Sequence, residues 1–283
     1  MKHFFCATMF AIVATCVTHS AFAQIKIIPI DESPGRPMAA GVFASADQTL
    51  VGKYMPSGSA PTSMSSFVLF AGEEAILFDA ALGGETWVKK LTDAGVKPEN
   101  VKLILLTHMH GDHIGGLLQG NDRRFPQAKV LSATPEYEHW LPKEGEVRNQ
   151  QIAKIKSAYG QDFEKTFKFD EVVFENSEVR VKALDASGHT PGHTVFLIES
   201  VGTSGDKLLI LGDLLHAVAL QFPVPEACAR FDMDHEKAIA ARKRILDFAA
   251  QEKIPVTGMH FPAPYIGKVE KNDQGGYIFR TGQ

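Results

Sequence analysis

Between Thr107 and Gly116 the chain reads Thr-His-Met-His-Gly-Asp-His-Ile-Gly-Gly, which brings His108, His110, Asp112 and His113, all able to ligate a metal, into one short run. Imidazole nitrogens and carboxylate oxygens are donors that borderline divalent cations such as zinc accept. His108 and His110 stand two residues apart, so on an extended chain their rings point to one side and can share an ion. Asp112 and His113 lie beyond the Gly111 turn and face elsewhere, which points to a second ion. The chemistry of such a centre is hydrolysis. Two cations roughly 3.5 to 4 Å apart share a water, draw its pKa toward about 7 and present hydroxide to a carbonyl or phosphoryl centre. The chain carries no Gly-x-Ser-x-Gly elbow, so nothing in it suggests a serine nucleophile.

Elements that could position this run are legible around it. Apolar segments of strand length, bounded by turn residues, occur at Ser66 to Phe70, Ala75 to Phe78, Val101 to Leu106, Val179 to Leu184, Thr194 to Ile198 and Lys207 to Leu211. Helical periodicity marks Glu85 to Ala94, Glu146 to Ala158 and His235 to Gln251; the last has Asp234 as a cap and Pro255 beyond its end. Early strands pair without helices between them and later strands alternate with helices. Layered sheets with helices outside them are the expectation.

With these residues in place the chain resembles the metallo-β-lactamase-fold hydrolases, whose signature is His-x-His-x-Asp-His after a strand. Further motifs of that family are matched in order. Asp79 ends the strand Ala75 to Phe78, Ser187-Gly188-His189-Thr190-Pro191-Gly192-His193 resembles the third motif, Leu211-Gly212-Asp213 the fourth, and Gly258-Met259-His260 the last. The resemblance implies an α/β fold, a four-layer αββα sandwich, and two divalent ions, zinc foremost, with manganese, cobalt or iron as alternatives. It implies that His108, His110 and His189 hold one ion, that Asp112, His113 and His260 hold the other, and that Asp213 bridges them. His189 and His193 both follow a glycine; the resemblance favours His189 as ligand with His193 behind it, and a swap is the alternative. It gives Asp79 a buttressing role. Asp112 and Asp213 are the catalytic residues it implies, with Asp112 orienting hydroxide or shuttling a proton.

The motif spelling is most similar to the subgroup containing methyl parathion hydrolase and related organophosphate hydrolases and lactonases. Homoserine-lactone lactonases usually carry Tyr three residues after the bridging Asp; this chain has His216 there. Esters, lactones or phosphotriesters with an apolar or aryl group are the expected substrates, and Met109, Phe222 and Phe261 are candidates for the pocket wall. The alternatives are a β-lactamase, a thioesterase of the glyoxalase II kind, and a redox or non-catalytic metal protein.

Composition narrows the field further. The 283 residues are 45% hydrophobic and 22% charged, as in an ordinary globular protein. With 29 Lys+Arg against 33 Asp+Glu the chain has no cation excess to neutralise a phosphate backbone, so a nucleic-acid partner is not expected. Met1 to His3 is a basic start, Phe4 to Val17 an apolar run and Ala21-Phe22-Ala23 a small-x-small site, so residues 1–23 read as a signal peptide. Export to the periplasm or beyond is expected, with no membrane contact after cleavage; lipidation at Cys16 fits poorly, with Thr before it. Residues 24–283 then read as one hydrolase domain, possible as a homodimer by analogy with relatives. Cleavage leaves Cys228 as the lone cysteine, so stability must come from a core. His235 reads as a surface residue and His139 as an exposed or interface residue.

Overall fold

A computed structural model of the chain describes residues 25–72, 74–142, 149–202 and 204–282. The segment read as a signal peptide lies outside the described residues, as does Glu146. Two large sheets form. One has six strands, ordered Lys26–Asp31, Ser65–Ala71, Glu74–Phe78, Val101–Leu105, Lys129–Ala133 and Thr166–Phe167. The other has seven, ordered Val172–Glu175, Val179–Asp185, Thr194–Ser200, Lys207–Ile210, Val256–Thr257, Gly267–Lys271 and Tyr277–Thr281. In each sheet, neighbours in space are neighbours in chain order.

Alternation of side chains explains the layering. Along Ser65–Ala71, Phe67 and Leu69 face the other sheet, whereas Val68 faces outward, so both faces of the strand are apolar and its sequence reads as one hydrophobic run. Between the sheets, Phe67, Leu69, Ile76, Phe78 and Leu105 meet Val181, Ala183, Phe196, Ile198 and Ile210. The Phe78 and Phe196 rings lie 5.3 Å apart across this interface. Burying each such side chain stabilises the fold by roughly 1.5–3 kcal/mol. Outside the first sheet, Trp87 and Leu91 of the helix Glu85–Asp93 and Ile152, Ile155 and Tyr159 of the helix Gln150–Tyr159 pack with Val68, Leu77, Ile104 and Val130. Outside the second, Ala241, Ile245, Leu246 and Ala249 of the helix His235–Gln251 pack with Val195, Leu197, Leu209 and Val256. Helix, sheet, sheet, helix is the four-layer α/β sandwich.

Two expectations need correction. The helix expected from Glu146 starts at Gln150, because the Asn149 side chain accepts from the Gln151 and Ile152 amides and fixes the start there. Later strands do not alternate regularly with helices: from Val172 to Ile210 they form an antiparallel meander, and the long helix His235–Gln251 comes only after it. Asp234 caps that helix, its side chain accepting from the Lys237 amide.

A segment between Lys26–Asp31 and Ser65–Ala71 adds a feature. Arg36–Ala39 pairs with Ser59–Thr62, and the helix Gln48–Tyr54 lies between them in sequence. Val42, Phe43, Val51 and Met55 of this segment pack on Ala217, Leu220, Val224 and Ala227, so it braces the loop that follows Asp213. No described helix is long and apolar enough to cross a membrane. Cys228 is buried and free.

Candidate metal centre

Asp79 follows Glu74–Phe78, His108 follows Val101–Leu105, Asp213 follows Lys207–Ile210 and His260 follows Val256–Thr257. Each lies just past the C-terminal end of its strand, where ligand sites gather in sheets with parallel pairs. Parallel pairs in both sheets, three in the first and one in the second, deliver loops to the same end of the sandwich.

Nε2 of His108 lies 2.9 Å from Nδ1 of His110, and Nε2 of His189 lies 3.2 Å and 3.0 Å from those two nitrogens. Oδ2 of Asp213 is 3.5 Å from His189 Nε2 and 3.9 Å from His108 Nε2. On the other side Asp213 Oδ1 lies 3.1 Å from His113 Nε2, and Oδ2 lies 3.3 Å from His260 Nε2, which in turn is 3.9 Å from Asp112 Oδ2. Three groups of donors result, each with its ligand atoms within 4.8 Å of one another: His108, His110, His189 with Asp213; Asp112, His113, His260 with Asp213; and, beside them, His189, His216 and Asp232. Asp213 belongs to the first two.

These residues fit divalent cations. Buried polar groups are normally hydrogen-bonded, yet His113 Nε2 and Asp213 Oδ1 are buried without a hydrogen-bond partner. Nitrogen and carboxylate donors converging in this way are the donor set of zinc and its neighbours.

Burial keeps the three histidines of the first group neutral and ready to ligate. Burial lowers His108 well below its ordinary value, aided by the neighbouring His113 and His110. Burial likewise takes His110 and His189 down to about 4. His113 and His260 move the other way: burial would lower them, but the charge of Asp213 outweighs it. Burial would raise the Asp213 carboxyl, yet His260 and His113 hold it well below the usual carboxylate range.

Behind the ligand atoms a ring of hydrogen bonds fixes each donor. Asp79 accepts from the Thr107 amide and from His113 Nδ1, both at 2.8 Å, which leaves His113 Nε2 to face Asp213. His260 Nδ1 donates to the Ser63 carbonyl at 3.0 Å. His193 does not join the ligand groups: its Nδ1 lies 3.2 Å from the Ala186 carbonyl and its Nε2 accepts from the Asp213 amide at 3.0 Å. Close backbone approach is needed beside His113, where a Cβ on Gly116 would stand 2.2 Å from the Ala80 carbonyl.

Three residues of this ring carry no signal in the sequence. Asp232 accepts from His189 Nδ1 at 2.9 Å and from the Ala229 amide at 3.1 Å. Arg242, on the long helix, reaches Asp232. Glu136 is fully buried and accepts from the Met109 and Gly192 amides, the Trp140 indole and the Thr190 hydroxyl, tying the His108 loop to the His189 loop.

The expected pocket walls are placed differently. Phe222 and Phe261 are buried in the core between the second sheet and its helix, their rings within 5.8 Å of each other and packed with Phe279. Met109 is buried in the core of the first sheet. Their side chains are spent on these cores. His216 does stand at it: its Nε2 lies 3.3 Å from Asp213 Oδ2, its ring stacks on His260, and neither ring nitrogen has a hydrogen-bond partner. Phe231, half-exposed, lies 5.7 Å from the His216 ring, and Trp140 lies 5.8 Å from the His110 ring.

The αββα sandwich thus carries His/Asp donor groups at one end, two of which share Asp213. The chain belongs to the metallo-beta-lactamase superfamily, which residues 61–251 match. It is similar to the structure of hydrolase AbOPH of the beta lactamase superfamily, with 26% identity, a TM-score of 0.78, and 91% of this chain and 94% of that chain covered. AidC, described as a dizinc quorum-quenching lactonase, shares the fold at a TM-score of 0.77 and 22% identity, over 92% of this chain and 95% of that one. An atrochrysone carboxyl ACP thioesterase of Pseudocercospora fijiensis (strain CIRAD86) is 28% identical over 151 residues, 51% of this chain and 37% of the relative. The matched region thus spans well under half the length of that curated relative.

Proposed function

We propose that this chain is an exported two-ion hydrolase that cleaves esters, lactones or phosphotriesters carrying an apolar or aryl group. The observation that carries the reading is Asp213, one carboxylate shared by two complete donor groups. His108, His110 and His189 would hold one ion, Asp112, His113 and His260 the other, with Asp213 between them. When bound, such ions lower the pKa of water toward neutrality and polarise a carbonyl or phosphoryl oxygen. The chain's own residues do the rest. Asp112 has a side chain 28% exposed against 4% for Asp213, so it is the carboxylate able to pass a proton to solvent. His216 sets Nε2 3.3 Å from Asp213 Oδ2 and has a buried Nδ1 without a hydrogen-bond partner, an imidazole at the centre that suits hydrogen bonding to a substrate oxygen.

Apolar recognition has support at the rim. Exposed large apolar side chains include Phe231 and Met233, which border the centre through the His216 ring and the His189 carbonyl. Exposed apolar groups beside a site fit an apolar ligand better than a charged one. Thioesters are a second reading, favoured by the thioesterase relative. Export rests on the basic start, apolar run and Ala21-Phe22-Ala23 site.

The test is metal analysis of the purified chain with hydrolysis of a panel: an aryl ester, an aryl lactone, an acyl-homoserine lactone, a phosphotriester, a thioester and a cephalosporin. About two ions per chain, with ester, lactone or triester turnover lost in Asp213→Asn, is the expected result. Metal without turnover, or turnover of the cephalosporin alone, would overturn the reading; a preference for the thioester would select the second one.

A further inference from the structure

The helix His235–Gln251 carries a cation into the core. Arg242 is 1% exposed, and every nitrogen of its guanidinium has a partner. Nε donates to the Leu214 carbonyl at 2.7 Å, Nη1 to the Pro225 and Ala227 carbonyls at 2.8 Å and 3.2 Å, and Nη2 to Asp232 Oδ2 at 3.3 Å. A buried guanidinium with one carboxylate partner is costly unless its geometry is well satisfied. This one is satisfied, and two of its partners, the Leu214 carbonyl and Asp232, adjoin residues of the metal centre.

Leu214 directly follows Asp213, the carboxylate shared by the two ligand groups. Asp232 accepts through Oδ1 from His189 Nδ1 at 2.9 Å while Oδ2 takes Arg242 and the Ala229 amide. That bond fixes the His189 tautomer, with the proton on Nδ1 and the Nε2 lone pair toward His108 and His110. The loop is fastened to His189 a second way, through the Met233 amide to the His189 carbonyl at 3.1 Å. Gly188, just before His189, allows this approach, since a Cβ there would sit 2.2 Å from the Ala238 amide nitrogen.

We propose that the buried Asp232–Arg242 pair is a positioning device for the metal centre: Asp232 orients His189, and Arg242 holds Asp232 while anchoring the Leu214 carbonyl next to Asp213. The pair touches no reacting atom. It makes the outer helix a structural support of the His108, His110 and His189 position. The proposal rests on the reading of His189 and Asp213 as ligands. Metal content of the unmodified chain tests that reading, and ratios of variant to unmodified chain test the pair, so the two can fail separately.

The experiment is zinc affinity of the two positions, measured by chelator competition on the full chain, for Asp232→Asn, Arg242→Lys and the double variant. Carboxylate partners of ligating histidines are generally worth 10–100-fold in metal affinity. Asp232→Asn should weaken one of the two zinc positions by at least tenfold and leave the other within a few-fold. Arg242→Lys, which keeps the charge but loses the fork, should weaken the same position, and the double variant should be no worse than the weaker single variant. Cobalt substitution gives a second readout, because a reoriented His189 alters the visible spectrum of the ion it holds. Unchanged zinc affinity in Asp232→Asn, equal weakening of both positions, or additive losses in the double variant would each overturn the proposal. If Arg242→Lys fails to fold, Asp232→Asn still decides, since it leaves the carbonyl bonds of Arg242 in place: one weakened position supports the pair, and none refutes it.

Discussion

The Asp213 amide donates to Nε2 of His193 across 3.0 Å, so a buried imidazole holds the backbone of the shared carboxylate from behind. Accepting this bond requires a neutral His193, and burial lowers that group to about 3. A supporting role and a ligand role make different forecasts. His193→Ala should keep about two ions per chain and lose roughly 10–100-fold in kcat, whereas His189→Ala should lose about one ion. Metal analysis beside steady-state kinetics checks both; loss of an ion in His193→Ala and retention in His189→Ala would mean that the two roles are exchanged.

Much of the centre was legible because its signal is local. His108, His110, Asp112 and His113 sit within one turn after a strand, and spacing alone shows which can share an ion. The strand and helix bounds were close for the same reason, since alternation in Val179–Asp185 and helical periodicity in His235–Gln251 are written into consecutive residues. Asp232, Glu136 and Arg242 left no such mark. Their roles arise from contacts between distant segments, such as Arg242 with Leu214 or Glu136 with Thr190, and each looks like any surface charge in its own stretch. Phe222 and Phe261 show the converse: nearness in sequence to Asp213 and His260 placed them as pocket walls, but the backbone turns them into the core.

Glu136 is the fullest acceptor in the molecule's centre. Burial pushes its carboxyl up, while bonds from the Thr190 hydroxyl, the Met109 amide, the Trp140 indole and the Gly192 amide pull it down. Three of those donors are N–H groups that cannot reverse, so a carboxylate satisfies them and an amide does not. Glu136→Gln places an NH2 group against donors it cannot accept from, leaving at least one unsatisfied at a cost of about 1–3 kcal/mol. A fall in Tm of roughly 2–12 °C in the metal-loaded protein is expected. An unchanged Tm would show that these loops do not depend on it.

Tyr159 supplies a pH dependence free of the metal centre. Its hydroxyl donates to the Leu117 carbonyl at 2.8 Å, just behind the loop of Asp112 and His113, and burial pushes it up to about 12. Unfolded tyrosine titrates near 10. Between those values the unfolded chain loses a proton that the folded chain keeps, so this contribution is complete below pH 10 and is lost as pH rises toward 12. At pH 11 the loss is about 1.4 kcal/mol. Urea unfolding at pH 8 and 11 should show Tyr159→Phe less stable at pH 8, by about 1 kcal/mol for the hydrogen bond, with a difference that shrinks or reverses at pH 11. A difference that is the same at both pH values would contradict this.

Substrate selection can be tested at one ring. Phe231 is 39% exposed, unusual for a phenylalanine, and it borders His216, whose Nε2 faces Asp213. An exposed ring beside a polar centre has apolar surface to bury against a substrate's aryl or acyl group. Aromatic pairing contributes about 0.5–1.5 kcal/mol beyond area, and partial burial of the ring adds a similar amount. Phe231→Ala should therefore raise KM for an aryl ester about tenfold and change KM for an acetyl ester of a small alcohol by less than about threefold, with kcat for both nearly constant. Because the ring is half-exposed, Tm should move little. Ile278→Ala, at a 38% exposed residue of the C-terminal strand, serves as the control and should leave both substrates unchanged. Equal effects of Phe231→Ala on the aryl and the small ester would show that the ring does not read the apolar group, and the search for the specificity wall would move to Trp140 beside His110.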